Sequence, residues 1–126
     1  MPGERVLVVE DNELSMKLFR DVLAAKGYRT FQATTGGDAI ALAAEHAPDL
    51  VLMDIQLPDI DGVEALGRLR MDERTADIPV IALTAQAMRG DEERFLASGF
   101  DGYISKPVNV VELLDVVTRY CGGPDR

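Results

Sequence analysis

Cysteine and long apolar runs are both scarce in this sequence. The one cysteine, Cys121, has no partner for an internal disulfide and does not supply the spaced thiols of a zinc site. No apolar run reaches the ~20 residues that a membrane-spanning helix needs. The first residues also lack the apolar segment of a signal peptide. We therefore expect a cytoplasmic protein without membrane insertion.

Positive charge is also in short supply. The chain has 13 basic and 22 acidic residues, which give a formal net charge of −9. Such a chain is repelled by phosphate backbones, and we expect no nucleic-acid partner. Apolar residues make up 47 % of the 126 residues, which is enough to build one hydrophobic core. We expect a single domain over residues 1–122, a short tail over 123–126 and no output domain.

Apolar runs alternate regularly with amphipathic segments along the chain. The runs that we predict to be strands are residues 5–10, 30–33, 49–53, 79–83 and 102–104. The segments that we predict to be helices are residues 12–26, 37–46, 62–71, 89–98 and 109–121. Nearly continuous apolar strands between helices indicate a parallel sheet covered on both faces. The sequence therefore predicts a doubly wound α/β fold of flavodoxin-like order 2-1-3-4-5, with five helices.

The predicted helices also have predicted inner faces. In the first helix, Leu14, Leu18 and Val22 recur at every fourth position, with Phe19 and Leu23 beside them. In the last helix, the residues expected to face inward are Val110, Leu113, Leu114 and Val117. Between these helices, the segment 34–37 superficially resembles a phosphate loop, but it follows the second strand and we interpret it as a helix entry. Asp61 is predicted to cap the third helix.

Acidic residues follow two of the buried strands. Glu10 and Asp11 close the first strand, and Asp54 closes the third. In the predicted order these strands are neighbours at the switch point, where ligands bind at the carboxyl ends. Two carboxylates ~4 Å apart repel by about 4 kcal/mol at an effective dielectric constant near 20, so they need a proton or a cation. An all-oxygen site with open positions suits Mg²⁺.

Two further strand ends carry groups that suit a phosphoryl ligand. Thr84 closes the fourth strand and can donate a hydrogen bond, and Lys106 follows the fifth strand and can neutralise a phosphoryl oxygen. Together, Mg²⁺ and Lys106 would balance the charge of Glu10, Asp11 and Asp54. Asp54 is then a candidate nucleophile toward phosphorus.

These residues recur in one known pattern. Over nearly its whole length, the chain resembles the receiver domain of two-component response regulators. The matching positions are Glu10-Asp11, Asp54, Leu57-Pro58, Asp61-Gly62, Thr84-Ala85, Tyr103 and Lys106-Pro107. The segments VEDNELSMKLF and GDEER…YISKP are especially similar to single-domain regulators of cell division within that family.

The resemblance implies a role for each acid. Asp54 would accept a phosphoryl group from a phosphohistidine of a sensor histidine kinase. Asp11 would bind Mg²⁺ directly, the backbone carbonyl of Gln56 would be a further ligand, and Glu10 would act largely through water. The family more often has aspartate at the position of Glu10, so this longer side chain is a departure from its pattern.

The resemblance also implies how the phosphoryl group is bound and how the acyl phosphate is hydrolysed. Lys106 and Thr84 would contact phosphoryl oxygens, together with the backbone N–H groups of Gln56 and Ala85. Tyr103 would turn inward as Thr84 moves, and the Lys106–Pro107 peptide bond would be cis. Water would hydrolyse the acyl phosphate, and Gln56 and Gln86 would help to set its lifetime. The chain would therefore catalyse its own phosphorylation and dephosphorylation without being a turnover enzyme.

Partners follow from the same resemblance. The kinase would dock near the first helix and the loop after Lys106, and a phosphatase or phosphotransfer protein is a further expected partner. Output would run through the face of helix 4, strand 5 and helix 5, around residues 88–95 and 108–114. The protein would be a monomer or a weak dimer.

Two other functions compete with this interpretation. A small phosphatase of the haloacid dehalogenase type also uses an aspartate nucleophile, but it needs a second acid where this chain has Gln56. A flavin-binding module needs a Ser/Thr/Gly-rich phosphate loop after the first strand. Here the loop over residues 10–13 is acidic and would repel the phosphate of FMN.

Overall fold

The computed structural model describes residues 4–85 and 91–121. Its strands are β1 (Arg5–Val9), β2 (Arg29–Ala33), β3 (Leu50–Asp54), β4 (Val80–Thr84) and β5 (Gly102–Ser105). Its helices are α1 (Glu13–Ala25), α2 (Gly36–His46), α3 (Gly62–Met71), α4 (Asp91–Ala97) and α5 (Val110–Cys121). The strands form one parallel sheet of order β2-β1-β3-β4-β5, which confirms the predicted fold.

Polar side chains fix where three of the helices begin. Asn12, Thr35 and Asp61 accept hydrogen bonds from backbone N–H groups at the starts of α1, α2 and α3. Segment 34–37 is therefore a helix entry, as predicted, and Asp61 caps α3. The predicted start of helix 4 at residue 89, and the tail over 123–126, lie outside the described residues.

The ends of the helices use backbone conformations that few residues adopt. Gly27 follows α1 with φ of 90°, and Gly99 follows α4 with φ of 109°. Both lie in the left-handed region, where glycine meets no steric penalty. The end of α2 is different, because Ala47 has φ of 47° there and Pro48 prevents the helix from continuing.

Apolar side chains pack on both faces of the sheet. On one face, Phe19 and Leu23 of α1 and Leu113 and Val117 of α5 pack against β1, β3 and β4. On the other face, residues of α2 and α3 cover the opposite side of the same strands. The central strands β3 and β4 are buried at every position. This rigid double cover holds the carboxyl ends of the strands in place.

The apolar repeat did not fully locate the buried faces of α1 and α5, and the predicted inner face of α5 was partly wrong. In α1 the buried side chains are Met16, Phe19 and Leu23, whereas Leu14 is 81 % exposed. In α5 Leu113 and Val117 are buried, but Val110 is not. Both helices carry a second apolar stripe beside the buried one, and the period alone could not show which stripe meets the sheet. No helix in the described part of the chain has the length and apolarity needed to cross a membrane.

The strand register aligns the chemically active ends. Val9 pairs with Met53, so that the next residues, Glu10 and Asp54, come side by side. Asp54 itself pairs with Leu83, one residue before Thr84. The sheet therefore brings the ends of β1, β3 and β4 to one edge, as the predicted order requires.

Candidate functional site

A cleft of about 400 Å³ opens at the carboxyl edge of the sheet. The residues that line it are Glu10, Asp11, Asn12, Asp54, Ile55, Gln56, Leu57, Pro58, Thr84, Ala85, Arg94 and Lys106. All the acids and both phosphoryl-binding side chains that the sequence predicts are in this set. Tyr103 is not among them.

Asp54 lies at the floor of the cleft. Its side chain closes β3 and is nearly buried, with 6 % of the residue exposed. Its Oδ1 atom accepts a hydrogen bond from the backbone N–H of Gln56 at 2.9 Å, and its Oδ2 atom accepts one from Lys106 Nζ at 2.8 Å. The carboxylate is therefore held in one orientation, with the cleft in front of it.

Glu10 lies beside Asp54 and has no exposed surface. Its Oε1 atom accepts a hydrogen bond from Lys106 Nζ at 2.6 Å, and Oε2 lies 3.4 Å from the backbone N of Asn12. Burial and the nearby Asp54 carboxyl raise the pKa of Glu10 to about 7, although Lys106 acts in the opposite direction. Glu10 thus gives up its proton less readily than an ordinary glutamate.

Lys106 joins the two carboxylates. Its ammonium group is within salt-bridge distance of both Glu10 and Asp54. Burial alone would lower the pKa of Lys106, but the hydrogen bonds to the two acids outweigh it and raise that pKa above the usual value. The Lys106–Pro107 peptide bond is cis. The lysine is therefore a fixed positive charge at the centre of the acidic site.

The donor set of the cleft fits a hard divalent cation. Glu10, Asp11 and Asp54 each offer a carboxylate oxygen, and these three atoms lie within 4.8 Å of one another. Asp11 is exposed to solvent at the mouth of the cleft, whereas the other two acids are buried. Carboxylate and carbonyl oxygens with open water positions are what Mg²⁺ prefers.

Thr84 and Tyr103 lie at different places. Thr84 ends β4, is buried and lines the cleft. Tyr103 lies on β5 and is partly buried, and it lines a separate groove of about 250 Å³ together with Leu96 and Tyr120. The structure therefore brings Thr84, but not Tyr103, to the acidic cleft. Gln86 lies outside the described residues.

Arg94 is a lining residue that the sequence did not predict to be part of the site. Arg94 of α4 contributes to the wall of the cleft, so that a second basic side chain borders the acids. In the sequence it stands in a run of charged residues, DEER, which is typical of a solvated helix face. Only the packing of α4 beside β5 shows that this arginine borders the site.

The fold and this cleft define a class of signalling protein. The chain belongs to the response regulator receiver domain family, whose sequence profile matches residues 6–118. It is 52 % identical over 117 residues to the polar-differentiation response regulator DivK of Brucella ovis, a match that covers 93 % of this chain and 95 % of DivK. Family membership decides against the haloacid-dehalogenase and flavin interpretations.

Solved structures of receiver domains have a similar fold. The receiver domain of the sensor histidine kinase PA1611 from Pseudomonas aeruginosa is 36 % identical, with a TM-score of 0.87 over 96 % of this chain and 99 % of that one. That crystal structure has a magnesium ion in its active-site cleft. A chain in the co-crystal of Saccharomyces cerevisiae Ypd1, a histidine phosphotransfer protein, with the receiver domain of Ssk1 is 29 % identical. Its TM-score is 0.87, over 96 % of this chain and 90 % of that one.

Proposed function

We propose that Asp54 is the phosphoacceptor of this chain and takes its phosphoryl group from a phosphohistidine of a sensor histidine kinase. One observation carries the proposal: Lys106 Nζ binds Asp54 Oδ2 at 2.8 Å, at the floor of a cleft lined by two further acids. A buried carboxylate with a fixed cation beside it and open space in front is arranged to attack an electrophile.

The chemistry is an in-line displacement at phosphorus. A carboxylate oxygen of Asp54 forms a bond to phosphorus while the bond from phosphorus to the imidazole nitrogen breaks, and the imidazole leaves with that electron pair. Lys106 neutralises the charge on one phosphoryl oxygen, and the Thr84 hydroxyl donates a hydrogen bond to another phosphoryl oxygen. Positioning and charge neutralisation supply the rate acceleration, since no general base is needed.

The acids of the cleft would hold Mg²⁺. Asp11, Asp54 and the backbone carbonyl of Gln56 would be direct ligands, and Glu10, which is already bonded to Lys106, would act through water. When bound, the ion would neutralise charge on the phosphoryl oxygens. The neighbouring receiver structure with magnesium in its cleft supports this assignment.

The phosphoryl donor would dock on exposed apolar side chains at the rim. Leu14 of α1 is 81 % exposed. This helix follows β1 after residues 10–12, which line the cleft, so a partner bound there reaches Asp54. The Ypd1–Ssk1 complex supports a histidine phosphotransfer protein as one such partner, with a sensor kinase or a phosphatase as others.

The output would be a change of binding partner. The groove that Tyr103 lines between α4, β5 and α5 is the surface expected to change when Thr84 is drawn toward a phosphoryl group. Similarity to DivK supports a role in polar differentiation and cell-cycle control. Hydrolysis of the acyl phosphate, at a rate that Gln56 and Gln86 would help to set, would end the signal without turnover of any other substrate.

Replacement of the acceptor tests the proposal. Asp54→Asn should abolish Mg²⁺-dependent labelling by a ³²P-phosphorylated sensor kinase and by acetyl phosphate, because an amide is not a nucleophile at phosphorus. Asp77→Asn, which neutralises an exposed acid before β4, is the matched control and should label as the unmodified protein does. Full labelling of Asp54→Asn would contradict the assignment.

A further inference from the structure

The loop between β3 and α3 carries a proposed metal ligand and is tied at both ends. This β3–α3 loop comprises residues 55–61, and Gln56 lies near its start. The backbone N–H of Ile55 donates to the carbonyl of Leu83, and the N–H of Gly62 donates to the carbonyl of Ile55. These bonds fix the base of the loop, but its outer half, residues 57–60, extends beyond them.

Asp59 fixes that outer half to a different part of the fold. Its Oδ1 atom accepts a hydrogen bond from the backbone N–H of Gly36 at 2.8 Å, and its Oδ2 atom accepts one from Gly37 at 2.9 Å. These N–H groups are at the start of α2, where a helix has no internal acceptors and carries partial positive charge. They lower the pKa of Asp59 to about 2, so that the carboxylate is charged at neutral pH.

The side chain next to Asp59 packs on the same helix start. A Cβ atom on Gly36 would lie only 2.5 Å from Cγ1 and 2.8 Å from Cδ1 of Ile60, so any larger residue at this position would force Ile60 to move. The loop therefore contacts α2 through both a bidentate carboxylate and a close apolar contact. The position of the outer half of the loop is therefore determined by α2.

We infer that Asp59 is a positioning residue of the phosphorylation site, which holds the β3–α3 loop so that the Gln56 carbonyl faces the metal. The inference rests on the proposed function and extends it to a residue that touches neither metal nor phosphoryl group. It also makes the start of α2 part of the support of the site.

The contact should matter because the metal tolerates little displacement. Mg²⁺ requires nearly ideal octahedral geometry, so a shift of one carbonyl ligand weakens the whole shell. Gln56 also donates its N–H to Asp54 Oδ1, and movement of the loop therefore disturbs two ligands at once. Loss of a residue that supports a metal ligand typically weakens metal binding about 10- to 100-fold.

The Mg²⁺ dissociation constant is the quantity to measure. Titration calorimetry with MgCl₂ alone, well below the unfolding temperature, should show binding about tenfold weaker in Asp59→Ala than in the unmodified protein. Asp59→Asn should lie between them, since its amide still accepts from one N–H but presents its own NH₂ group to the other. Hydrogen exchange at Gly36 and Gly37 should speed up in both variants.

Two controls test whether weaker Mg²⁺ binding arises from loss of positioning, rather than from the loss of a negative charge or of stability. Glu73→Gln removes one exposed negative charge far from the loop and should bind Mg²⁺ as the unmodified protein does. Arg70→Lys loosens contacts at the opposite edge of the sheet, and its lost stability should leave the dissociation constant unchanged.

The outcomes are distinct. Unchanged Mg²⁺ binding in Asp59→Ala, or equal weakening in Arg70→Lys, would overturn the positioning role and leave the proposed function standing. Absence of Mg²⁺ binding in the unmodified protein would overturn both together.

Discussion

The Nζ atom of Lys106 lies 2.6 Å from Oε1 of Glu10, and the glutamate in this pair has no exposed surface. The same ammonium group lies 2.8 Å from Oδ2 of Asp54. The pair therefore fixes Lys106 between two acids before any ligand arrives. It also gives Glu10 a role that does not require direct contact with a metal.

The stability of the metal-free protein should depend on pH through Glu10. Its pKa is raised from 4.5 to about 7, so the folded chain binds this proton more tightly than the unfolded chain does. The stabilisation is complete below pH 4.5 and is lost as the pH rises through about 7. Urea unfolding in the presence of a chelator should show this decline, and Glu10→Gln should flatten it.

The control for that titration is Glu13→Gln, which alters an exposed acid in the first turn of α1. Its unfolding free energy should follow the same pH dependence as that of the unmodified protein. If the unfolding free energy of Glu10→Gln still declines between pH 4.5 and about 7, a group other than Glu10 is responsible for the decline.

Two glycines of α3 should respond to alanine in opposite ways. At Gly62 a Cβ atom would lie 2.7 Å from the carbonyl oxygen of Asp54 and 2.9 Å from Cα of Ile55, so backbone must move. At Gly67 it would meet nothing within 4 Å. We expect Gly62→Ala to lower the free energy of unfolding by about 3 kcal/mol and Gly67→Ala to raise it by about 1 kcal/mol.

Urea unfolding of both variants checks this prediction in one experiment. Gly62→Ala should also slow labelling by acetyl phosphate, because the backbone that it displaces carries the phosphoacceptor. Equal stability of the two variants would mean that the start of α3 is less closely packed on β3 than the structure has it.

Much of the site was predictable because it lies at strand ends. Glu10, Asp54 and Thr84 directly follow or close apolar runs, and the strand order of a doubly wound sheet brings those ends together. The hydrophobic pattern and the sheet topology therefore suffice to predict that these groups lie at one edge of the sheet, without any knowledge of side-chain packing. The same argument placed Lys106 at this edge, after β5.

The contacts between loops and helices were not predictable in this way. Asp59 binds N–H groups 22 and 23 residues earlier in the chain, and no periodic pattern relates such positions. Arg94 reaches the cleft because of how α4 packs, and its charged neighbours conceal that in the sequence. Leu14 belongs to a regular apolar stripe, yet it faces solvent, since α1 carries more apolar surface than the sheet can cover.

Arg70 should be a major contributor to stability at the edge of the sheet away from the site. Its guanidinium donates to the carbonyls of Ala76, Ile78 and Gly99 and to the carboxylate of Asp101. Alanine would remove all four of these hydrogen bonds, although Asp101 would keep the one from the N–H of Val80, and we expect a loss of about 2–3 kcal/mol.

A second arginine of α3 provides the comparison. Among the residues that the structure describes, Arg68 pairs with Glu64 alone, at the exposed surface, and Arg68→Ala should cost no more than about 0.5 kcal/mol. Chemical unfolding of both variants at neutral pH measures the difference. Similar losses in the two would indicate that the contacts of Arg70 are not maintained in solution.

The exposed apolar side chain of Leu14 should be needed by the phosphoryl donor but not by the chemistry. Leu14→Ser removes a leucine that would be buried on docking, which is typically worth about 1.5–3 kcal/mol, or roughly a tenfold loss or more in kcat/KM for transfer from the kinase. Labelling by acetyl phosphate should be unchanged, because Asp54, Lys106 and Thr84 are untouched. The kinase is selected beforehand as the one with the fastest transfer in a panel of phosphorylated sensor kinases.

Met71 supplies the matched control for that experiment. It is 87 % exposed, so Met71→Ser also removes an exposed apolar side chain, but it lies at the end of α3, whereas Leu14 is in the first turn of α1. Transfer from the kinase to Met71→Ser should equal transfer to the unmodified protein. If Leu14→Ser and Met71→Ser lose activity equally, or if Leu14→Ser also slows labelling by acetyl phosphate, the kinase does not dock on α1. Loss confined to Leu14→Ser and to the kinase places the donor on the helix that follows Glu10 and Asp11, within reach of the phosphoacceptor.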